Sequence, residues 1–236
     1  MEVPAFLVQE ADEQAAQQPR PHDEPVHFNE SLARSVIEAA TAPGDSVLDP
    51  FAGYGTTLAV AERLGREAVG VELLEEHVEL VRSRTSGRAR IVRGDSRRLA
   101  DLVEGPFDLV LTSPPYMTSI AHPENPLRGY VTDDGDYTRY LHELGVVFDQ
   151  VASLLRPGGH AVLNVANLFT GDHVTLLAWD IGRVVSERLR FIGETFLCCD
   201  SHPRGHSGDY LLWFRRDGDR TPSPGSGPQV EALSES

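Results

Sequence analysis

A glycine-rich turn between an apolar strand and a helix is the feature that most constrains how this sequence can fold. Residues 46–57 run Ser-Val-Leu-Asp-Pro-Phe-Ala-Gly-Tyr-Gly-Thr-Thr. Gly53 and Gly55 permit a tight bend and a close approach of the backbone to a ligand, because neither carries a Cβ atom. The helix that follows offers free N–H groups and partial positive charge at its amino end. We therefore expect a ligand-binding turn at the carboxyl end of a strand.

Strands and helices alternate through the central part of the chain, as judged from apolar periodicity and turn residues. The predicted strands are Ser46–Phe51, Glu67–Leu73, Ala89–Arg93, Phe107–Thr112, His160–Val165, Phe191–Leu197 and Tyr210–Arg215. The predicted helices are Asn29–Ala40, Thr56–Leu64, Glu75–Arg84, Tyr137–Leu155 and Thr175–Leu189. This alternation predicts an α/β fold with a mostly parallel, seven-stranded sheet, helices on both faces and a final antiparallel strand. Ligands of such sheets bind beyond the carboxyl ends of the strands.

The two ends of the chain differ in composition from its middle. Residues 1–25 are acidic and rich in Gln, Ala and Pro, and residues 217–236 are rich in Pro, Gly and Ser. Both segments are predicted to be disordered tails, which leaves residues 26–216 as one domain. The sequence has no apolar run of membrane-spanning length and no secretory signal pattern, so we expect a cytoplasmic protein with no membrane partner.

The charge of the chain limits its partners. The formal net charge is −15, which opposes a large nucleic-acid footprint because such a footprint needs a basic face. Arginines cluster at 82–98 around the third strand, and a solvated edge that offsets nearby acids is favoured over a phosphate track. Cys198, Cys199, His202 and His206 lack the usual spacing of zinc ligands, so no metal is expected.

Acidic residues close the two strands that follow the glycine-rich turn. Glu72 ends the second strand and is placed to accept the hydroxyl groups of a ribose, and Asp95 follows the third strand and can accept from an adenine amino group. The turn lacks the lysine of a nucleoside-triphosphate loop and does not match the GxGxxG pattern. The predicted ligand therefore has an anionic part, a ribose and a base, but is not a nucleoside triphosphate.

A second motif, Ser113-Pro114-Pro115-Tyr116, follows the fourth strand. Each proline fixes its φ angle and removes an N–H donor, so the turn is rigid and presents carbonyl and hydroxyl acceptors. Acceptors that bind both N–H groups of a ring amine localise its lone pair on nitrogen, and Tyr116 can stack on the flat ring. The alternative is a purely structural Pro-Pro turn. In the predicted topology the fourth strand lies beside the first, so the motif is expected next to the glycine-rich turn.

Together the two motifs resemble those of the amino-methyltransferase family that modifies N4 of cytosine or N6 of adenine in DNA. Asp-Pro-Phe-Ala-Gly-Tyr-Gly-Thr-Thr matches the cofactor motif, and Ser-Pro-Pro-Tyr matches the catalytic motif in the form of the cytosine-N4 members. His27-Phe28-Asn29 is similar to the segment that covers the methionine end of the cofactor. The resemblance spans about residues 26–216 but includes no evident target-recognition domain.

The resemblance implies a class I methyltransferase fold, Rossmann-like, with S-adenosylmethionine as cofactor and direct methyl transfer to an amino nitrogen of DNA. The implied catalytic residues are Ser113, Pro114, Pro115 and Tyr116. The implied cofactor-binding residues are Phe28, Asn29, Asp49, Pro50, Phe51, Ala52, Gly53, Gly55, Thr56, Thr57, Glu72, Asp95 and Ser96. Alternatives are methylation of an RNA base such as guanine N2, methylation of a small-molecule or peptide amine, and a non-catalytic cofactor-binding regulator.

Overall fold

A computed structural model describes residues 2–9, 28–115, 137–170, 173–199 and 208–218. An eight-stranded sheet runs through this part of the chain. Its strands are β1 (Phe6–Gln9), β2 (Ser46–Asp49), β3 (Glu67–Glu72), β4 (Arg90–Arg93), β5 (Phe107–Thr112), β6 (Leu155–Val165), β9 (Arg190–Cys199) and β10 (Gly208–Arg215). Their order across the sheet is β1-β9-β10-β6-β5-β2-β3-β4. A separate hairpin pairs β7 (Leu168–Thr170) with β8 (His173–Thr175).

The helices in the described ranges are α1 (Glu30–Ala40), α2 (Thr56–Arg63), α3 (Glu75–Arg84), α4 (Leu99–Leu102), α5 (Tyr137–Leu154) and α6 (Leu177–Ser186). A short 3₁₀ helix, Ser96–Arg98, precedes α4. None of these described helices is long and apolar enough to span a membrane.

Two apolar layers enclose the sheet. Buried side chains of α1 and α2, with Val81 of α3, pack on one face, and those of α4, α5 and α6 pack on the other. β10 is antiparallel to both of its neighbours, and the remaining strand pairs of the large sheet are parallel. The predicted α/β class, the helices on both faces and the antiparallel final strand are therefore confirmed.

The start of α1 follows from its sequence. Asn29 is fully buried, and its Oδ1 accepts the backbone N–H of Leu32 at 3.0 Å, which caps the helix. Leu32, Ala33, Val36 and Ile37 then recur at helical spacing and are buried against the sheet.

The prediction that residues 1–25 form a tail is wrong for its first part, because Phe6–Gln9 forms β1 and brings the sheet to eight strands instead of seven. β1 pairs in parallel with β9, with Phe6 opposite Phe196. Local periodicity gives no signal for this strand, because its pairing partner lies far along the chain.

A buried hydrogen-bond chain fixes this edge of the sheet. Trp213 Nε1 donates to Thr195 Oγ1 at 3.0 Å, and Thr195 Oγ1 donates to the backbone carbonyl of Pro4 at 2.6 Å. The Phe196 N–H donates to the Ala5 carbonyl at 3.0 Å. The segment before β1 therefore satisfies polar groups that would otherwise lie at an uncovered sheet edge.

We expect deletion of residues 1–9 to lower the thermal midpoint by several degrees, because β9 loses its partner and the Thr195 hydroxyl loses its acceptor. Deletion of residues 222–236, which composition predicts to be disordered, is the control and should leave the midpoint unchanged. Calorimetry that found the same midpoint for both truncated proteins would contradict the structural role of β1.

Candidate functional site

The glycine-rich turn between β2 and α2 needs both of its glycines, for different reasons. Gly53 has φ +48° and Gly55 has φ +80°, a region that side chains disfavour. A Cβ atom on Gly55 would lie 2.8 Å from Val81 Cγ2, so packing against α3 also excludes a larger residue there. A Cβ atom on Gly53 would meet nothing closer than the Phe51 carbonyl oxygen at 3.9 Å. Gly53 therefore borders open space that can admit a ligand.

Glu72 holds this turn in place from the end of β3. Its Oε2 accepts the Gly53 N–H at 2.8 Å and its Oε1 accepts the Leu74 N–H at 2.9 Å. The side chain is 11% exposed, and each carboxylate oxygen has a further lone pair. Glu72 therefore fixes the turn and keeps lone pairs for further donors, and its predicted contact with ribose hydroxyl groups stays a prediction.

Asp49 joins the glycine-rich turn to the neighbouring strand. Its Oδ1 accepts the Thr112 hydroxyl at 2.7 Å and the Phe51 N–H at 3.1 Å. Burial raises the pKa of Asp49 to about 6, although hydrogen bonds from Thr112 and Thr57 act in the opposite direction. A buried carboxylate whose pKa is raised by burial is suited to a cationic ligand, because a nearby positive charge favours its ionised form.

The Ser-Pro-Pro turn lies directly after Thr112, at the end of β5. Ser113 Oγ donates to the backbone carbonyl of Asn164 at 3.2 Å. Tyr140 of α5 donates its hydroxyl to the Pro115 carbonyl at 2.9 Å. The turn is thus held by β6 on one side and by α5 on the other. Tyr116 lies outside the described residues, so its predicted stacking role stays a prediction.

Tyr137 supports Tyr140 from the first turn of α5. The two rings stack with centroids 6.3 Å apart, and the Tyr137 hydroxyl donates to Asp180 of α6 at 2.8 Å. Burial and this hydrogen bond raise the pKa of Tyr137 above its usual value. The hydroxyl therefore stays a donor throughout the physiological range and ties α5 to α6.

Asp95 and Ser96 differ in how they serve the predicted site. Asp95 caps the 3₁₀ helix and forms an ion pair with Arg97. Burial acts to raise the pKa of Asp95, but the hydrogen bonds and charge of Arg97 outweigh it and hold the pKa below its usual value. Ser96 is buried and its hydroxyl donates to the Pro50 carbonyl, which ties the loop after β4 to the glycine-rich turn. Asp95 already pairs with Arg97, and its predicted contact with an adenine stays a prediction.

Phe28 and Asn29 lie just before α1. Phe28 is buried in the apolar layer that α1 and α2 form, and Asn29 Oδ1 accepts the Leu32 N–H and the Ser31 hydroxyl. Glu30 pairs with Arg63 of α2 and with Arg84 of α3. These contacts fix the amino end of α1 against the helix that begins at the glycine-rich turn.

The arginines around β4 are engaged with acidic residues and backbone carbonyls. Arg82 and Arg93 pair with Glu75, Arg97 pairs with Asp95 and Glu143, and Arg98 pairs with Asp101. This arrangement favours the solvated edge over a phosphate track.

Metal ligands do not cluster in the part of the chain that the structure describes, where no group of three or more His, Cys, Asp or Glu side chains could hold an ion. Cys199, His202 and His206 are not covered by that statement, because their side chains lie outside the described residues.

The structure adds two residues that sequence analysis did not assign to the site. Thr112 ends the predicted strand directly before Ser-Pro-Pro and had no site role assigned, yet its hydroxyl bonds to Asp49. Tyr140 was predicted as part of an apolar helix face, yet its hydroxyl bonds to the Pro115 carbonyl. Its position in a helical stripe gave no sign of this contact, whereas the place of Thr112 directly before Ser-Pro-Pro could have indicated a role.

Comparison with known sequences confirms the resemblance to the amino-methyltransferases over part of the chain. Residues 7–83 match the family model N6_N4_Mtase, described as DNA methylase. The type II methyltransferase M.SmaI of Serratia marcescens is 47% identical over 57 residues, which are 24% of this chain and 20% of that protein. The type II methyltransferase M2.DpnII of Streptococcus pneumoniae is 43% identical over 60 residues, which are 25% of this chain and 22% of that protein. This chain thus spans about a fifth of the length of these relatives.

Comparison with solved structures establishes the fold. TrmN from Thermus thermophilus aligns with a TM-score of 0.60 and 20% identity, over 87% of this chain and 52% of that one. The 1,6-didemethyltoxoflavin-N1-methyltransferase of Burkholderia thailandensis, solved with S-adenosylhomocysteine, aligns with a TM-score of 0.52 and 18% identity, over 80% of this chain and 78% of that one. The chain has the class I S-adenosylmethionine-dependent methyltransferase fold, as its sequence predicted.

We expect the Asp49→Asn variant to be more stable than the wild type at pH 7. The raised pKa means that ionisation of Asp49 costs folding free energy, by up to about 3 kcal/mol for a rise from 3.8 to about 6. This cost is absent below about pH 4, grows as the pH rises to about 6 and is complete above that. Asparagine keeps the acceptor for Thr112 without the charge.

Urea unfolding at pH 4 and at pH 7 measures this difference. The variant should match the wild type at pH 4 and exceed it at pH 7. A variant less stable than the wild type at pH 7 would show that the ionised carboxylate stabilises the fold and would contradict this account.

Proposed function

We propose that this chain is an S-adenosylmethionine-dependent N-methyltransferase whose acceptor is an exocyclic amino group in DNA, N4 of cytosine or N6 of adenine. The observation that carries this proposal is the 2.7 Å hydrogen bond from Thr112 to Asp49. It joins the end of the strand that carries Ser-Pro-Pro to the glycine-rich turn. A cofactor in that turn and an amine at Ser113 would therefore lie side by side.

The residues of the turn fit this cofactor. Gly53 leaves open space beside the backbone, Glu72 has lone pairs for ribose hydroxyl groups, and the buried Asp49 carboxylate complements a cationic methionine end. The solved 1,6-didemethyltoxoflavin-N1-methyltransferase, which has the same fold, contains S-adenosylhomocysteine. When bound, S-adenosylmethionine supplies an electrophilic methyl group.

The Ser-Pro-Pro turn fits a ring amine as acceptor. Ser113 donates its hydroxyl proton to the Asn164 carbonyl, so its lone pairs remain to accept an N–H from the amine. That bond increases electron density on the acceptor nitrogen. With S-adenosylmethionine held by the glycine-rich turn, the nitrogen would form a bond to the methyl carbon as the carbon–sulfur bond breaks, and it would then release one proton to water. The rigid turn holds the nitrogen in line for this displacement, which lowers the barrier through orientation.

The choice of DNA rests on the sequence match. Residues 7–83 match the DNA methylase family, and the two relatives named above are type II methyltransferases. A base in a duplex would have to leave the helix to reach Ser113, as in other enzymes that modify bases. The match covers about a third of the chain and does not include the Ser-Pro-Pro motif.

A second candidate acceptor is a small-molecule or peptide amine. The net charge of −15 and the pairing of the arginines around β4 with acids favour it over a polyanion. RNA is a polyanion like DNA, so the negative net charge of the chain opposes its binding as well.

Glu72→Ala should weaken the binding of S-adenosylmethionine by about 1–3 kcal/mol, because the ribose hydroxyl groups lose their acceptor and the Gly53 N–H loses its partner. Isothermal calorimetry measures the affinity directly. The control is Glu75→Ala, which removes an exposed acid of α3 that pairs with Arg82 and Arg93. Equal affinity in the Glu72 variant and the wild type would contradict the cofactor assignment.

Transfer of labelled methyl groups to DNA, RNA and small-molecule amines tests the acceptor. The wild type should label DNA, and Ser113→Ala should lower the rate by about tenfold or more while leaving cofactor affinity unchanged. Ser83→Ala, which removes a hydroxyl that donates to the Leu80 carbonyl on the exposed side of α3, should retain the wild-type rate. Label in RNA or small amines but not in DNA would contradict the proposed acceptor.

A further inference from the structure

Four aromatic side chains lie in a row on the face of the sheet that α6 partly covers. The ring centroid of Trp179 on α6 is 5.2 Å from that of Tyr210 on β10. The Tyr210 centroid is in turn 5.6 Å from that of Phe196 on β9. Phe6 of β1 is the register partner of Phe196, so the two side chains point to the same face. These four residues are referred to below as the aromatic row.

Both ends of the aromatic row are open to solvent. Trp179 is 39% exposed and Phe6 is 64% exposed. Val8, which points to the same face of β1 as Phe6, is 61% exposed. Isolated apolar side chains are common on protein surfaces, but a contiguous exposed set of this kind marks a binding surface.

The register of the sheet places the aromatic row level with the Ser-Pro-Pro turn. The ladder continues from Phe6 and Phe196 to Tyr210, and Tyr210 pairs with Val165 of β6. Thr112, directly before the turn, pairs with the residue two positions before Val165. Because neighbouring strands lie about 4.8 Å apart, the row extends from about 10 Å to about 19 Å away from β5.

The aromatic row lies on the acceptor side of the candidate site. β2, β3 and β4, whose loops carry the predicted cofactor residues, lie on one side of β5, and β6, β10, β9 and β1 lie on the other. A cofactor in those loops would therefore not reach the row, whereas an acceptor that extends beyond its reacting amine would. At about 3.4 Å per nucleotide along a strand, the row lies about three to six nucleotides from a target base at the turn.

The charge of the chain favours base stacking over phosphate contacts. The net charge is −15, and a duplex, whose base faces are covered, is held mainly through its phosphates. Unpaired bases expose flat faces that stack on aromatic side chains and need no basic surface for that contact. Arg183, one helical turn beyond Trp179 on α6, is exposed and forms no ion pair with any described residue. It can therefore contact one phosphate of a strand that stacks on the row.

We propose that the aromatic row binds bases of single-stranded DNA that flank the target base, so that this chain acts on unpaired DNA in preference to duplex. The proposal rests on the proposed function and deepens it, because it names the form of DNA that the site accepts. Trp179 and Phe6, the most exposed members of the row, supply most of the stacking surface.

The intrinsic fluorescence of the protein tests the contact directly. The chain has two tryptophans, and Trp213 is only 1% exposed. A mixed-sequence strand of about 16 nucleotides should quench the emission of Trp179, because a base stacked on indole quenches it. The same sequence as a duplex should quench far less at equal concentration. In Trp179→Leu, which keeps an apolar side chain beside Tyr210, the strand should leave the remaining emission unchanged.

Binding of the same strand, measured by fluorescence anisotropy with S-adenosylhomocysteine present, tests the energetics. The wild type should bind the strand about tenfold or more tightly than the duplex. Trp179→Leu and Phe6→Leu should each weaken strand binding severalfold and leave cofactor affinity unchanged. The matched control is Phe191→Leu. Phe191 is 41% exposed but packs on Phe214 near the start of β9, away from the row, so this variant should bind the strand as the wild type does.

Four outcomes would overturn the proposal. If the wild type methylates DNA but shows no quenching, or binds duplex as tightly as the strand, the proposed function stands and the row does not bind DNA. Wild-type strand affinity in both row variants leads to the same conclusion. If sedimentation shows a dimer that both variants convert to monomers without loss of strand affinity, the row is an interface between two copies of the chain. If labelled methyl groups reach RNA or small amines but not DNA, the proposed function itself fails.

Discussion

The hydrogen bond between Thr112 and Asp49 holds the candidate site together. Asp49 ends β2, Thr112 ends β5, and the two strands are neighbours in the sheet. Each residue is followed by a turn that the chemistry of the site requires, one rich in glycine and one rich in proline. Because the bond is buried, it fixes the distance between the two turns more firmly than an exposed contact could. The proposed methyl transfer needs that distance to be constant.

The glycine-rich turn and the Ser-Pro-Pro turn use residues with opposite effects on the backbone. Gly53 and Gly55 allow positive φ angles and leave room beside the backbone, whereas Pro114 and Pro115 restrict the backbone and remove donors. Groups on four other elements hold the two turns in place through hydrogen bonds. Glu72 holds the glycine-rich turn, Ser96 bonds to the Pro50 carbonyl, Tyr140 holds Pro115, and the Asn164 carbonyl holds Ser113. This arrangement buries the Asp49 carboxylate, and burial raises the pKa of that group.

Local patterns in the sequence predicted most of this architecture, and long-range contacts account for the differences. Apolar periodicity located the strands that carry Asp49, Glu72 and Ser113, and strand ends placed those residues at one edge. Periodicity could not find β1, since its four residues become a strand only by pairing with β9. It also could not show that the hydroxyl of Tyr140, within an otherwise apolar stripe, donates to the Pro115 carbonyl 25 positions earlier. Such contacts depend on three-dimensional packing, which residue spacing does not encode.

The pKa of Asp49, measured by carbon-13 NMR of its carboxyl group in the free protein and in complex with S-adenosylhomocysteine, tests the central claim most directly. The claim is that the buried carboxylate anchors the cationic end of the cofactor beside the acceptor turn. The account predicts a pKa of about 6 in the free protein and a clearly lower value in the complex, because a nearby ammonium group favours the ionised carboxylate. An Asp49 pKa that is unchanged or raised in a saturated complex would contradict it.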